Sequence, residues 1–432
     1  MNICMFTNTY LPHVGGVARS VQFFTEDLIG MGHRILVVAP SFPKDTETAG
    51  DLPEVIRVPA LQHFNGSDFS VRIPLPFYIN QQIEKFVPDV VHSHHPFLLG
   101  DAAIRVARKW KLPLVFTHHT LYEQYTHYVP LELDALKEFV ARLATLYANL
   151  CSRVVAPSRS IALLLRERGV KRPIEEIPTG VDISFFAAGN GKKFRRDSDL
   201  PESALVIGHI GRLAPEKNLT YLAEAVAIFM ERAPEAHFLV VGDGPAQSEI
   251  KQTFADRHLV DRLHLVGEAA GSRLRDAYSA MDLFVFSSKS ETQGMVLVEA
   301  MAAGKPVIAL DASGSREVIQ DGENGRLLSE DASAEDFAAA IRTYRDSTDL
   351  MQKWKAGALR TMRQFSRETT AGKMEALYQK LFDSKDGHQA GGSSELGPLD
   401  ALTDRIKTEW ELWRRKTAAA LNAVQSNPRS SN

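Results

Sequence analysis

Short apolar runs alternate with helix-period segments twice along this chain. That alternation constrains the fold more than any other feature. Ile3 to Thr7 reads as a strand, a Gly15-Gly16 turn follows, and Val17 to Met31 has helical spacing. Arg34 to Ala39 is the next strand, closed by Pro40; Val90 to His92, Leu114 to Thr117 and Val154 to Ala156 continue the series. The pattern then restarts. Leu205 to Ile210 reads as a strand, Leu219 to Arg232 as a helix, and His237 to Val241, Leu263 to Val266, Leu283 to Ser287 and Pro306 to Ala309 as further strands. Strand–helix alternation implies parallel sheets covered on both faces. Two such series in 432 residues imply two Rossmann-like α/β domains.

The boundaries follow from composition. Residues 1–186 form the first domain. Residues 187–201, rich in Gly, Lys, Arg and Asp, read as a linker, and 202–361 form the second domain. A helix over 362–383 is expected to pack back on the first domain. Residues 384–400, with Gly391-Gly392-Ser393-Ser394, read as a flexible linker, and 401–425 as an amphipathic helix. In that last helix Trp410 and Trp413 stand beside Arg414, Arg415 and Lys416. Two readings stay open for it: packing on the body or on a second subunit, or lying in a membrane interface. Asp404, Glu409 and Glu411 weigh against the membrane.

A net charge of -3 argues against a nucleic-acid binder. Two cysteines, Cys4 and Cys151, offer no disulfide framework and fit a reducing compartment. There is no evident signal peptide and no run long enough to span a bilayer. The expectation is a cytoplasmic protein with peripheral contact to the inner face of the membrane.

Chemistry concentrates in Ser290 to Ile308. Glu291 and Glu299 stand eight positions apart, the first in a Gly-containing turn, the second inside an apolar helix ending at Gly304-Lys305-Pro306. Eight residues are a little over two helical turns, so both carboxylates can face one cleft. The unbonded N–H groups at that helix start suit an anionic, hydroxyl-rich ligand such as a sugar nucleotide. Arg212 and Lys217 follow the first strand of the second series, where open α/β sheets bind ligands, and can neutralise a leaving diphosphate without a metal. Gly15-Gly16 opens a helix after the first strand of the chain, without the full dinucleotide spacing. His118-His119 ends a strand, with His92, His94 and His95 upstream. No carboxylate or cysteine completes a metal set there, so the histidines read as structural or as part of an organic-ligand site.

Taken in order, Gly15-Gly16, His119, Gly211-Arg212 with Glu216-Lys217-Asn218, Gly242-Asp243-Gly244-Pro245 and the Glu291-to-Glu299 segment resemble the retaining glycosyltransferases of family 4. The resemblance covers roughly residues 1–380. It implies the GT-B fold, two Rossmann-like domains facing across a cleft, with no divalent metal and no cofactor beyond a nucleotide-sugar substrate. It assigns Arg212 and Lys217 to the donor diphosphate and Glu299 to the ribose. Glu291 with the backbone of Gln293, Gly294, Met295 and Val296 falls to the donor sugar and phosphates, Gly16 to the diphosphate, His119 to the sugar near the reacting centre, and Gly267 to the base. His119, Glu291, Arg212 and Lys217 are then the catalytic set.

His92 to Gly100, Thr117 to Tyr128 and the Glu291-Thr292-Gln293-Gly294 turn are similar to bacterial diacylglycerol glucosyltransferases. That likeness implies UDP-glucose as donor and a lipid acceptor. Leu131, Leu133, Leu136, Phe139, Leu143 and Leu146 recur at helical spacing, which fits either a membrane-docking helix or one facing the core. A soluble sugar, sugar phosphate or polysaccharide acceptor remains the alternative, and a GT-B sugar-nucleotide epimerase a remote one.

Overall fold

The computed structural model describes residues 1–12, 15–41, 53–61, 71–72, 77–122 and 134–389. The chain divides into two units: Met1–Thr179 with the chain from Thr370 onward, and Gly180–Thr369.

The first unit is built on β1 (Asn2–Phe6), β2 (Arg34–Pro40), β3 (Glu54–Val58), β4 (Ala60–Leu61), β5 (Val71–Arg72), β6 (Val90–Ser93), β7 (Leu114–Thr117), β8 (Arg153–Ala156) and β9 (Ile174–Glu176). Seven of these form one parallel sheet in the order β3-β2-β1-β6-β7-β8-β9; β4 and β5 pair separately and antiparallel. Side chains alternate faces along a strand. Ile3, Met5, Val37, Val90, Val115 and Val155 therefore pack under the helices Gly16–Gly30 and Arg367–Gln389, whose Val21, Phe24, Leu28, Met374, Leu377 and Tyr378 share their cluster. Cys4, Phe6, Leu36, Val91 and Phe116 point the other way, among residues of the helices Leu99–Lys109 and Asp134–Ala148. Both cysteines are free and buried, and burial pushes the Cys4 thiol upward in pKa.

The second unit contains β10 (Leu205–Ile210), β11 (Ala236–Val241), β12 (Leu263–Leu265), β13 (Leu283–Phe286), β14 (Val307–Leu310) and β15 (Gly325–Leu328), all parallel, in the order β12-β11-β10-β13-β14-β15. Its two faces alternate likewise. Ile207, Phe238, Val285 and Ile308 pack with the helices Leu219–Met230 and Ala334–Arg345, while Val206, Leu239, Phe284 and Val307 pack with Met295–Ala302.

Two boundaries depart from the sequence reading, and three edge strands add to it. The segment 187–201 is no linker. It carries the helix Gly191–Asp197, Phe194 and Leu200 join the second unit's core, and the buried Arg195 bonds Ala280 O, Ala204 O and Asp282. The segment is rich in charged residues, yet its Phe194, Arg195 and Leu200 are internal. The helix expected over 362–383 is a 3-10 turn, Met362–Phe365, followed by Arg367–Gln389, so residues 384–389 are helical rather than linker. The edge strands β3, β9 and β15 were not anticipated, because each is short and only partly buried.

The helix Asp134–Ala148 turns Leu143, Ala144, Tyr147 and Ala148 inward, and Tyr147 donates to Gly100 O at 3.0 Å. Its second half therefore faces the core, while Lys137 and Glu138 are exposed. Leu131, Leu133, the stretch 123–130 and the helix expected at 401–425 lie outside the described residues. Among the described residues no helix is long and apolar enough to cross a membrane.

Candidate active site

In the second unit the chain runs outward from β10 to β11 and β12, then returns to β13 on the other side of β10. The crevice at such a switch point, beyond the carboxyl ends of the strands, is where open α/β sheets bind ligands. The loops after β10 and β13 meet there and are stitched together. Ser287 Oγ donates to the carbonyls of Lys217 and Asn218, each at 2.9 Å, and Ser288 and Ser290 donate to Glu216 O.

The charged groups fall on those loops. Lys217 pairs with Glu291, both largely buried, and Arg212 pairs with Glu216 while staying half exposed. The second oxygen of Glu216 is buried with no partner among the described residues. Gly294 (φ 69°) caps the helix Met295–Ala302 without a side chain, so the backbone at Gln293, Gly294, Met295 and Val296 stays close to whatever lies beyond it. Gly314 backs this turn: a Cβ there would stand 2.5 Å from the Glu291 Cβ. Glu299 is buried one turn deeper and accepts from Tyr278 Oη at 2.8 Å. Gly267 (φ 69°) lies past β12, and its carbonyl accepts from Gly242 N at 2.8 Å. Arg212, Lys217, Glu291 and the 293–296 turn thus form one group. Glu299 sits below it, and Gly267 is tied to the loop after β11.

The first unit has its own switch point, between β1 and β6. Gly16 opens the helix after β1 with exposed backbone and nothing within 4 Å of a notional Cβ. The ends of β1 and β6 are joined by Asn8, whose N–H donates to His95 Nδ1 at 3.0 Å and whose Oδ1 accepts from Leu99 N. Five histidines gather at the ends of β6 and β7. His92 bonds Tyr378 Oη at 2.5 Å and Thr117 Oγ1 at 2.7 Å, and His94 Nδ1 meets His119 Nε2 at 2.9 Å. His92, His94, His95 and His118 are buried; His119 is only partly covered. Burial, reinforced by the His119 imidazole, pushes the pKa values of His92 and His95 down to about 3. Burial also brings His118 to about 3, with Arg168 as the next cause, and moves His94 and His119 the same way. All five are neutral at pH 7. Among the described residues no group of three or more His, Cys, Asp or Glu is arranged to hold a metal ion.

Two family models cover this chain: Glycosyltransferase Family 4 matches residues 14–185, and Glycosyl transferases group 1 matches residues 190–361. The alpha-monoglucosyldiacylglycerol synthase of Streptococcus pneumoniae is 30% identical over 76% of this chain and 75% of its own length. The chain belongs to glycosyltransferase family 4. The synthase of the same name from Acholeplasma laidlawii is 26% identical over 89% of this chain and 98% of its own. A GDP-mannose-dependent alpha-mannosyltransferase of Mycobacterium tuberculosis is 31% identical over 76% of this chain and 84% of its own. The structure of Anabaena HepE in complex with UDP-glucose is 22% identical, covers 88% of this chain and 100% of its own, and superposes with a TM-score of 0.70. The fold is therefore GT-B, in agreement with the two parallel sheets.

Three features of this family 4 enzyme's site escaped sequence reading. His209, on β10, donates from Nδ1 to Val285 O at 3.1 Å and leaves Nε2 buried without a partner among the described residues. Burial holds its pKa down to about 4. A histidine inside an apolar strand carries no signal of where its ring ends. Tyr278, which holds Glu299, lies 21 positions away and is brought in only by packing. The 313–315 loop, with Gly314 against the Glu291 turn, had its signal in Ser313-Gly314-Ser315 beyond a strand end.

Proposed function

We propose that this enzyme transfers a hexose from a nucleotide sugar to a lipid hydroxyl with retention at the anomeric carbon. UDP-glucose is the donor and diacylglycerol the acceptor. The observation that carries the donor half is the Lys217–Glu291 pair at the switch point of the second sheet, beside Arg212 and the start of the helix Met295–Ala302. Cations and helix N–H groups gathered there favour the charge that develops on a departing diphosphate. Glu291 is assigned to a sugar hydroxyl or to the oxocarbenium-like carbon, and Glu299 to the ribose. Gly267 is assigned to the base, the open backbone of Gly16 to the diphosphate, and His119 to the sugar.

In this reading the bond from the anomeric carbon to the phosphate oxygen breaks while the acceptor oxygen bonds to the same face. The acceptor proton passes to the leaving phosphate, so neither a covalent sugar–enzyme intermediate nor a metal is needed. Arg212 and Lys217 bring positive charge to the departing diphosphate, which suits electrostatic stabilisation.

The lipid acceptor is supported by the two alpha-monoglucosyldiacylglycerol synthases among the relatives and by the sulfoquinovosyl transferase SQD2 of Arabidopsis thaliana, 28% identical over 79% of this chain. A second reading, mannosyl transfer from GDP-mannose, is favoured by relatives of that name at 30% and 31% identity. The test is a donor-by-acceptor screen. The full chain is incubated with UDP-glucose, UDP-galactose or GDP-mannose and with diacylglycerol vesicles or soluble sugars, and products are read by mass spectrometry. A hexosyl-diacylglycerol from UDP-glucose alone is the expected result. Product only with soluble acceptors, or only from GDP-mannose, overturns the assignment.

A further inference from the structure

The proton between His94 and His119 has two places to be, and the surroundings choose one. His94 is fully buried, and its Nδ1 stands 2.9 Å from His119 Nε2. A neutral imidazole carries one N–H. Were His119 the donor, His94 would accept at Nδ1 and hold its own proton on Nε2. That nitrogen is buried and has no partner among the described residues. An orphaned buried N–H is rarer in proteins than an unmet lone pair. With the proton on His94 Nδ1, only a lone pair is left unmet.

His94 is also held in place. Its ring lies 4.1 Å from that of His92, which is pinned by Tyr378 and Thr117. Its backbone N–H is bound to Phe6 O at 2.9 Å.

We infer that His94 is a positioning residue that donates from Nδ1 to His119 Nε2, placing the His119 proton on Nδ1 and making His119 a hydrogen-bond donor toward its ligand rather than a base. That the ligand is the donor sugar rests on the function proposed above; the tautomer does not. A donor imidazole at that place grips a sugar or phosphate oxygen as charge develops. It leaves deprotonation of the acceptor to the leaving phosphate. The buried layer of His92, Thr117 and Tyr378 then has a purpose: it keeps the His94 ring from turning its lone pair toward His119.

The full chain labelled with nitrogen-15 histidine, observed near neutral pH by long-range proton–nitrogen correlation, tests this directly. His119→Gln identifies the His119 signals. The expected spectrum shows a protonated His119 Nδ1 and an unprotonated Nε2. His94→Asn retains an amide N–H near the place of Nδ1 and should preserve both this pattern and most of kcat. His94→Leu should let His119 shift its proton to Nε2 and lose roughly 100-fold in kcat, with the donor KM little changed. Thermal unfolding of both variants shows whether either loss is merely one of folding. A wild-type spectrum with the proton on Nε2 overturns the inference, as does an unchanged His119 tautomer in His94→Leu. If the tautomers behave as stated while His119→Gln retains full transfer, the placement of His119 at the donor sugar fails instead.

Discussion

The two sheets end in opposite chemistries. Beyond β6 and β7 of the first unit stand five neutral imidazoles, four of them buried; His92 bonds two hydroxyls, and His94 meets His119. Beyond β10 and β13 of the second stand the ion pairs Lys217–Glu291 and Arg212–Glu216 at a helix start. The architecture is the same, and so is the place within it. What differs is how the side chains meet the low dielectric: the first unit buries imidazoles in their neutral form, and the second sets opposite charges in pairs. That division suits a reaction in which one side handles hydroxyls and the other a diphosphate.

The comparison breaks most readily on the charged side. Lys217→Ala or Glu291→Ala should lower transfer by roughly 10²–10³-fold or more, with the unfolding transition retained. Each leaves the other partner's charge near the crevice, where solvent can reach it. Full activity in either variant, assayed with the donor found above, would dismiss the switch-point pair as the donor site. On the neutral side, His119→Ala should cost about 10²-fold, because hydrogen bonding to a developing charge is lost without a charge of its own. A loss larger than that of Lys217→Ala would reverse the division of labour.

Acid should separate the two units. The unfolded chain binds protons at its histidines below about pH 6.5, whereas folded His92, His95 and His118 do so only near pH 3. Between those values the unfolded state holds more protons, so stability falls as pH falls through that window. The second unit has one such deeply buried histidine, His209. Hydrogen exchange followed by mass spectrometry from about pH 7 down to about pH 4.5 should show the first unit losing protection before the second. Simultaneous loss, or earlier loss in the second unit, would remove the histidine cluster as the acid-labile element.

The smallest expected effect is at Tyr278→Phe. Glu299 loses a buried hydrogen-bond donor, and the second unit should be destabilised by about 1–3 kcal/mol in denaturant unfolding. An unchanged midpoint would show that Glu299 draws its stabilisation from other partners.

Much of this was readable from the chain. Continuous apolar runs such as Leu283 to Phe286 announced buried parallel strands, and the second series announced a second sheet. Arg212, Lys217 and Glu291 were visible because charged residues just past a strand have few structural reasons to be there. The charge of the segment 187–201 suggests exposure, yet Arg195 is buried and its guanidinium donates four hydrogen bonds. His209 was invisible for the opposite reason: it interrupts an apolar strand, and nothing in the run says which loop its ring will approach.

The sequence by itself determined the element order, the two-sheet plan and the residue types at the carboxyl ends of the strands. Those depend on local periodicity and on strand ends, which are properties of neighbours in the chain. Only the tertiary structure decided that Lys217 meets Glu291, that Tyr278 holds Glu299, and that His94 stands behind His119 with Tyr378 anchoring the layer beneath. Those partners are separated by 74, 21, 25 and 286 positions. No periodicity reaches that far; the packing of helices on a twisted sheet brings them together.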